Sequence, residues 1–224
     1  MYWCFFYEMK LVYFYNMNWI NNLFRKNTIS EKAEEMSKKF LIVGLGNIGA
    51  EYVNTRHNIG FKILDYVAAK QGVSFETAKL GAVAEFTIKG RKLILLKPNT
   101  YMNLSGKAVH YWMQKENIPV ERTLILADDL ALPFGKLRIR TSGSDGGHNG
   151  FKNINEVLGH NNYPRLRFGI AAEFSKGHQV NYVLGEWNAE EKSTLPARIE
   201  IASQAVLAFG FLEIGKVMSE YNSK

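Results

Sequence analysis

Histidine, aspartate and asparagine side chains collect where apolar segments of the sequence end, and these residue types together suit the hydrolysis of an acyl bond. His57 lies in the polar segment after the first apolar run, and Asp128 comes at the end of the later run TLILADD. A histidine with a pKa of about 6.5 can take a proton from water at neutral pH. A carboxylate bonded to its other ring nitrogen would fix the tautomer and stabilise the imidazolium. His57 and Asp128 are therefore our candidate general base and its partner.

The same loops suggest which groups would surround the reacting carbonyl. Asn47, Asn103 and Asn149 carry amides, which donate to a carbonyl or oxyanion and accept from a peptide N–H without adding negative charge. Neutral groups of this kind suit a site that must admit a polyanion. Ser105 stands at a predicted helix start, so we interpret it as a helix cap and expect water to be the nucleophile.

Each of these residues also has a structural explanation. A lone histidine after a strand is often a hydrogen-bonded structural residue, and asparagine-rich loops are often turns because Asn tolerates left-handed backbone geometry. Asp128 and Asp129 could be solvated residues at a strand end or a metal pair. Taken one at a time, the fragments do not establish a site.

From Lys38 onwards, strand and helix signals alternate and predict a single α/β domain. We expect strands at KKFLIVGL, AVAEFTI, KLILLK, TLILADD, FGKLRIR and LRFGIA. We expect helices at GFKILDYVAAKQG, SGKAVHYWMQKEN and Ala189 to Phe209, and a hairpin at Gly90. These signals predict a mixed, mostly parallel twisted sheet with helices on both faces. The loops at the carboxyl ends of its strands would then share one crevice.

The segment GLGNIG matches the G-x-G-x-x-G spacing of dinucleotide-binding loops, but its surroundings do not. A helix should begin at once, whereas the following AEYVNTRHNIG is rich in residues that disfavour helices. The acidic residue about 20 positions on would be Asp65, which lies inside a predicted helix. We therefore do not favour a nicotinamide oxidoreductase, although a titration with NADH would test it.

The net charge of +7 belongs to the predicted domain. Residues 1–37 contain four basic and four acidic residues, so their charges cancel. A basic domain favours polyanionic partners such as nucleic acid, although a surplus that serves only solubility is the alternative. Cys4 is the one cysteine, which excludes an internal disulfide and a cysteine-based zinc site and fits a reducing cytoplasm.

Residues 1–37 have a different character from the rest of the chain. They are crowded with aromatic and asparagine residues and show no sustained helical or alternating period. Their longest uncharged run is too short for a membrane span, and there is no signal-peptide pattern. We expect a disordered leader or a mis-assigned start here, followed by the domain at 38–224.

Five motifs, taken in order, resemble the signatures of bacterial peptidyl-tRNA hydrolases. They are GLGNIGAEYVNTRHNIG, KPNTYMNLSGKAV, DDLALPFGKLRIR, GSDGGHNGFKNI and YPRLRFGIA, and they span nearly everything from Lys38 to the C-terminal helix. The resemblance implies an enzyme that cuts the ester between peptide and tRNA and returns the tRNA to translation. It also implies a cytoplasmic monomer that needs no metal or cofactor and does not bind membranes.

The resemblance further implies a role for individual residues. His57 would be the general base, Asp128 would hold it in its basic form, and Asn47 would separate N-blocked peptidyl-tRNA from free aminoacyl-tRNA. Three groups of residues would bind substrate: Asn103, Asn149 and Met102 beside the reaction centre, Tyr52 and Tyr101 at the tRNA 3′ end, and Arg140 and Arg167 on a tRNA phosphate.

The departures from the family pattern are small. Ile48 replaces a proline, Ala131 replaces an acid, and GIAAEF lacks the glycine and proline that precede the expected lid at Ala172 to Gln179. A non-catalytic RNA-binding module remains the rival interpretation. The presence of His57, Asp128 and Asn47 together argues against it, since binding alone does not require all three.

Overall fold

The structure is a computed structural model that describes residues 38–171, 177–222 and 224. The leader expected at residues 1–37 lies outside the described residues. So do residues 172–176, the first part of the expected lid.

Seven strands of the described chain form one sheet in the order β2-β3-β4-β1-β5-β7-β6. They are β1 (Lys39–Gly44), β2 (Glu76–Ala78), β3 (Gly81–Ile88), β4 (Arg91–Pro98), β5 (Thr123–Pro133), β6 (Leu137–Arg140) and β7 (Arg165–Ala171). The four central strands, β4, β1, β5 and β7, are parallel. β3 is antiparallel to both β4 and β2, and β6 is antiparallel to β7. The prediction of a mixed, mostly parallel sheet is confirmed.

Helices cover both faces of this sheet, as predicted. In the described residues they are α1 (Ile59–Gln71), α2 (Ser105–Glu116), α3 (Asn149–Leu158), α4 (Gln179–Val183), α5 (Ala189–Phe209) and α6 (Ile214–Tyr221). Side chains of α1, α5 and α6 pack into one apolar core, and those of α2 and α3 pack into a second. None of the helices described is both long and apolar enough to cross a membrane.

The central strand β1 separates the two cores. Phe40 and Ile42 belong to the core beneath α1, and the alternate residues Leu41 and Val43 belong to the core beneath α2. Successive side chains of a strand point to opposite faces, so a central strand covered on both sides is apolar throughout. This explains why the sequence signal here is an unbroken apolar run.

Two glycines of GLGNIG, together with Gly60 of α1, allow β1 and α1 to approach each other closely. A Cβ at Gly60 in α1 would lie 2.5 Å from the backbone N and O of Leu45, and a Cβ at Gly44 would meet the backbone of Gly60. A Cβ at Gly46 would lie 2.8 Å from the ring of Phe61. These glycines therefore serve chain packing, and Asp65 lies within α1, as the sequence indicated.

Candidate active site

The candidate residues lie at the carboxyl end of the parallel strands. The loop after β1 carries Asn47 and His57, and the segment after β4 carries Tyr101 to Asn103. Asp128 lies midway along β5, and the loop after β6 leads to α3. The segment after β7 leads to α4. Because parallel strands end at one edge of a sheet, loops that are distant in sequence meet there.

His57 and Asp128 form a buried pair at this edge. His57 Nδ1 lies 2.8 Å from Asp128 Oδ1, and the two residues are 9% and 2% exposed. A short distance of this kind fits a charge-assisted hydrogen bond, in which the His57 Nδ1–H donates to an ionised carboxylate. The proton on Nδ1 leaves Nε2 with its lone pair, which is the state that a general base requires.

A second histidine donates to the same carboxylate oxygen. His148 Nε2 lies 3.1 Å from Asp128 Oδ1, while His148 Nδ1 accepts from the backbone N–H groups of Gly150 at 3.1 Å and Phe151 at 3.4 Å. Since Nδ1 accepts, the proton of a neutral His148 must reside on Nε2. His148 therefore caps α3 and donates to Asp128 at the same time. His148 lies within the motif GSDGGHNGFKNI, and the sequence pattern assigned it no role of its own.

These contacts have opposite effects on the two pKa values. Burial lowers the pKa of His57, but the Asp128 charge and hydrogen bond outweigh it, so the pKa is raised from 6.5. Burial raises the pKa of Asp128, but the charges of His57 and His148 and their hydrogen bonds hold it well below its ordinary 3.8. Asp128 is thus ionised at neutral pH and favours the protonated form of His57 once that residue has accepted a proton.

The same three residues are the one group in the described chain whose atoms are spaced closely enough to bind a metal ion. Their hydrogen bonds argue for a different use. His148 has one nitrogen occupied by backbone N–H groups and the other donating to Asp128, and His57 Nδ1 also donates to Asp128. Of the four imidazole nitrogens, only His57 Nε2 retains a lone pair for another partner, so the two histidines fit proton transfer better than joint binding of a metal ion.

Asn47 is held by three hydrogen bonds, one on its side-chain amide and two on its backbone. Its Oδ1 accepts from the backbone N–H of Met102 at 3.0 Å. The side chain of Asn58, which is 2% exposed, accepts from the Asn47 N–H at 2.8 Å and donates to the Asn47 carbonyl at 2.9 Å. With Oδ1 engaged, Asn47 has its Nδ2 hydrogens for a substrate acceptor. Asn58 lies within the motif GLGNIGAEYVNTRHNIG, and its bracing role emerges only from the structure.

Met102 connects the Asn47 segment to the His148 segment. A Cβ at Gly150 would lie 2.8 Å from Met102 Sδ and 3.0 Å from His148 Cε1. The absence of a side chain at Gly150 therefore lets the Met102 thioether pack against the start of α3. Met102 itself is only 4% exposed.

A cleft of about 110 Å³ opens beside the buried cluster. His57, Asp128 and His148 line it together with two more of the predicted site residues, Asn149 and Arg167. Three residues from α4, Gln179, Val180 and Val183, line the same cleft. Helix α4 thus contributes a partly apolar wall, which the sequence did not indicate.

The chain is similar to known proteins over most of its length. The peptidyl-tRNA hydrolase family model matches residues 41–224. A peptidyl-tRNA hydrolase of Porphyromonas gingivalis is 56% identical over 184 residues, covering 82% of this chain and all of that protein. One from Phocaeicola vulgatus is 54% identical over 186 residues, covering 83% of this chain and all of that protein. The chain belongs to the peptidyl-tRNA hydrolase family. The crystal structure of peptidyl-tRNA hydrolase from Acinetobacter baumannii superposes with a TM-score of 0.78 at 36% identity, covering 84% of this chain and 96% of that one.

In this member of the peptidyl-tRNA hydrolase family the two predicted phosphate-binding arginines have different surroundings. Arg140 is exposed on β6, at one edge of the sheet. Arg167 is nearly buried and is held by Asp129 Oδ2 at 3.1 Å and the Ser144 carbonyl at 2.6 Å. Because Asp129 pairs with Arg167, a metal pair of Asp128 and Asp129 is not favoured.

The remaining predicted residues lie on the surface around the site. Tyr101 is 62% exposed, Tyr52 is half-buried, and Asn103 and Asn149 are exposed. Of these four, only Asn149 lines the cleft of His57. Exposed aromatic and amide groups beside a cleft are available to a large substrate, which fits the peptidyl-tRNA hydrolase family.

The prediction that Ser105 caps a helix is wrong. Leu104 occupies the capping position of α2, and Ser105 is the first helical residue. The Ser105 hydroxyl is fully buried and donates to the carbonyl of Met102 at 2.9 Å. It supports the short turn of Met102–Leu104 instead, and its burial also excludes it as a nucleophile.

Proposed function

We propose that this chain hydrolyses the ester bond between peptide and tRNA in peptidyl-tRNA, releasing peptide and tRNA. The observation that supports this most directly is the His57–Asp128 pair, with Nδ1 donating at 2.8 Å and Nε2 left to accept a proton beside an open cleft. Membership of the peptidyl-tRNA hydrolase family supplies the substrate class.

The reaction follows from the protonation states of the site. His57 Nε2 removes a proton from a water molecule, whose oxygen attacks the carbonyl carbon that joins the peptide to the terminal ribose. The Asp128 carboxylate stabilises the imidazolium that forms. When the tetrahedral intermediate collapses, the ester C–O bond breaks and the imidazolium returns the proton to the ribose oxygen. His57 and water thus perform hydrolysis without a covalent enzyme intermediate.

Asn47 gives the site a way to distinguish a blocked substrate from a free amino group. Its Oδ1 is occupied by the Met102 N–H, so the amide presents N–H donors. The carbonyl of a substrate peptide group can accept from these donors. The ammonium group of aminoacyl-tRNA has only donors, and it would face another donor without a partner.

The exposed residues around the cleft are proposed to bind the tRNA. Tyr52 and Tyr101 offer aromatic faces to bases at the 3′ end, and Asn103 and Asn149 offer amides near the ester. Arg140 is exposed and can meet a phosphate, whereas the Arg167 guanidinium would be shared between the phosphate and Asp129. Met102 is buried, so its proposed contribution is to hold Asn47. We further infer that the protein acts as a monomer in the cytoplasm.

Release of the amino acid from N-acetylated aminoacyl-tRNA tests the proposal, with free aminoacyl-tRNA and EDTA as the controls. We expect rapid cleavage of the blocked substrate, little cleavage of the free one, and no effect of EDTA. A folded protein that binds the tRNA without cleaving it would instead support a non-catalytic RNA-binding module. Loss of activity in EDTA, restored by a divalent cation, would contradict a mechanism that needs no metal.

A further inference from the structure

Arg56 directly precedes the candidate base His57, yet its charged group is buried against another part of the chain. It forms an ion pair with Glu191 in which the side chains are 8% and 7% exposed. Arg56 Nη2 donates to Glu191 Oε2 at 2.7 Å, and Nε donates to Oε1 at 3.3 Å. Two bonds between a planar guanidinium and a carboxylate fix the orientation of both groups. The proposed reaction gives this pair no part.

The carboxylate of Glu191 also fixes the beginning of α5. Its Oε2 accepts from the backbone N–H of Asn188 at 2.7 Å, and its own N–H donates to the Asn188 side chain at 2.8 Å. These reciprocal bonds are a capping box, which satisfies two backbone groups of the first turn. Arg56 is therefore tied to a helix start rather than to a mobile surface side chain.

A second set of contacts ties Arg56 to α4 and the turn after it. Arg56 Nη1 donates to the Tyr182 carbonyl at 3.3 Å, and the guanidinium carbon lies 4.2 Å from the centre of the Tyr182 ring. The Arg56 backbone N–H donates to the Gly185 carbonyl at 3.1 Å. The Tyr182 hydroxyl donates in turn to the Ile170 carbonyl of β7 at 2.7 Å. Helix α4 is thus held on one side by Arg56 and on the other by the sheet.

Helix α4 is the wall of the cleft that contains His57. Val180 and Val183 line the cleft, and Val180 is 65% exposed, so this wall faces any substrate that reaches His57. A short helix of five residues has little stability of its own, and its position depends on tertiary contacts. Arg56 supplies several of those contacts while being covalently joined to His57.

We propose that Arg56, anchored by Glu191, is a positioning residue that sets His57 and the α4 wall of the cleft in fixed relation to each other. This inference rests on the proposed function, because it assigns Arg56 to the orientation of the base and to the binding of the same substrate. A change at Arg56 or Glu191 moves both sides of the cleft. It therefore alters kcat through His57 and KM through α4.

Two substitutions and a matched control test this with N-acetylated aminoacyl-tRNA. Arg56→Lys keeps the charge but loses the planar fork and the stacking on Tyr182. Glu191→Gln removes the charge while Gln can still form the capping box. Glu186→Gln is the control. Glu186 precedes α5 and makes an exposed ion pair with Lys192, and such pairs contribute little to stability.

The kinetic constants are measured below the unfolding temperature of each variant, and kcat alone is corrected for the folded fraction, because KM does not depend on the enzyme concentration. We expect kcat/KM to fall roughly 10- to 100-fold in Arg56→Lys and Glu191→Gln, with changes in both kcat and KM, and to stay within about twofold in Glu186→Gln. If both variants keep wild-type KM and wild-type kcat per folded molecule, Arg56 and Glu191 serve stability alone and the inference is wrong.

Amide hydrogen exchange provides a readout that does not depend on hydrolysis. We expect Glu191→Gln to raise exchange together in residues 55–58 and 179–186, with no such change in Glu186→Gln. Faster exchange in 179–186 with no change in 55–58 would overturn the coupling. An inactive wild-type protein would refute the proposed function, and the exchange pattern would still decide whether Arg56 joins the two segments.

Discussion

A single carboxylate oxygen, Asp128 Oδ1, accepts from both His57 and His148, and this sharing determines which atoms can take part in chemistry. His148 cannot act as a base, because its Nδ1 already accepts two backbone N–H groups. His57 can, because only its Nδ1 is engaged. Whether each histidine can accept a proton therefore depends on what bonds to the ring nitrogen that does not contact Asp128. Local sequence patterns do not show those bonds.

Replacing Asp128 with Asn tests the electrostatic effect of the Asp128 carboxylate on His57. In the wild type the Asp128 charge raises the pKa of His57 against the opposing effect of burial. Without that charge only burial remains, so we expect the pKa of His57 to fall below its ordinary 6.5, and kcat to fall about 10³- to 10⁴-fold. NMR titration of the His57 ring protons measures the first effect and single-turnover kinetics the second. A His57 pKa that stays above 6.5 in Asp128→Asn would refute the electrostatic account.

Most of the elements that carry the site could be predicted, and the exceptions have physical reasons. The parallel strands are largely apolar runs, and α1 is capped at its carboxyl end by Gly72 with a φ of 68°, so the sequence signals for these elements are clear. Helix α3 was missed because it follows a glycine-rich loop and contains Gly150 and three asparagines, residue types that disfavour helices. Its cap is a histidine whose role depends on Asp128, 20 positions earlier in the chain.

Other parts of the site depend on contacts that local sequence patterns do not encode. Helix α4 has only five residues and no periodic apolar signal. Its position comes from Arg56 and Tyr182, which lie 126 residues apart. The bracing of the first loop by Asn58 likewise requires the loop to fold back on itself.

The two roles of His148 can be separated at the level of helix α3. His148→Ala removes the helix cap and one donor to Asp128, so we expect a loss of about 1–2 kcal/mol of unfolding free energy and roughly a 10-fold loss of kcat. His148→Asn retains a side chain that caps helices well but is too short to replace the imidazole at Asp128. We therefore expect Asn to recover most of the stability and little of the activity. Equal recovery of both in urea unfolding and turnover assays would mean that His148 acts only as a cap.

At the scale of the whole molecule, the net charge of +7 should appear in the salt dependence of tRNA binding. Arg140 is exposed on the edge strand, so its replacement by Gln should reduce the slope of log Kd against log salt concentration by about one phosphate contact. Lys89 lies in the β3–β4 turn, at the amino end of β4 and away from the cleft, so Lys89→Asn is the control. Equal slopes of log Kd against log salt concentration for wild type and Arg140→Gln would mean that Arg140 does not contact a tRNA phosphate.

The buried pair should also shape the pH dependence of stability. The raised pKa of His57 means that its contribution is fully present below 6.5 and is lost as pH rises through the folded-state pKa. The lowered pKa of Asp128 means that its contribution is present above 3.8 and is lost as pH falls. We therefore expect the stability difference between wild type and Asp128→Asn to be greatest between these two values, in urea unfolding from pH 3 to 9. A difference that is constant across this range would contradict the assigned pKa shifts.

The most direct test of the account compares wild type, His57→Ala and His110→Ala in single-turnover cleavage of N-acetylated aminoacyl-tRNA. His110 is exposed on α2 and makes no contact in the site, so it controls for the loss of a histidine. Binding of the substrate is measured for each protein in parallel. The account predicts that His57→Ala binds normally and loses nearly all cleavage, while His110→Ala behaves as wild type. Cleavage by His57→Ala at the wild-type rate would contradict the assignment of His57 as the base.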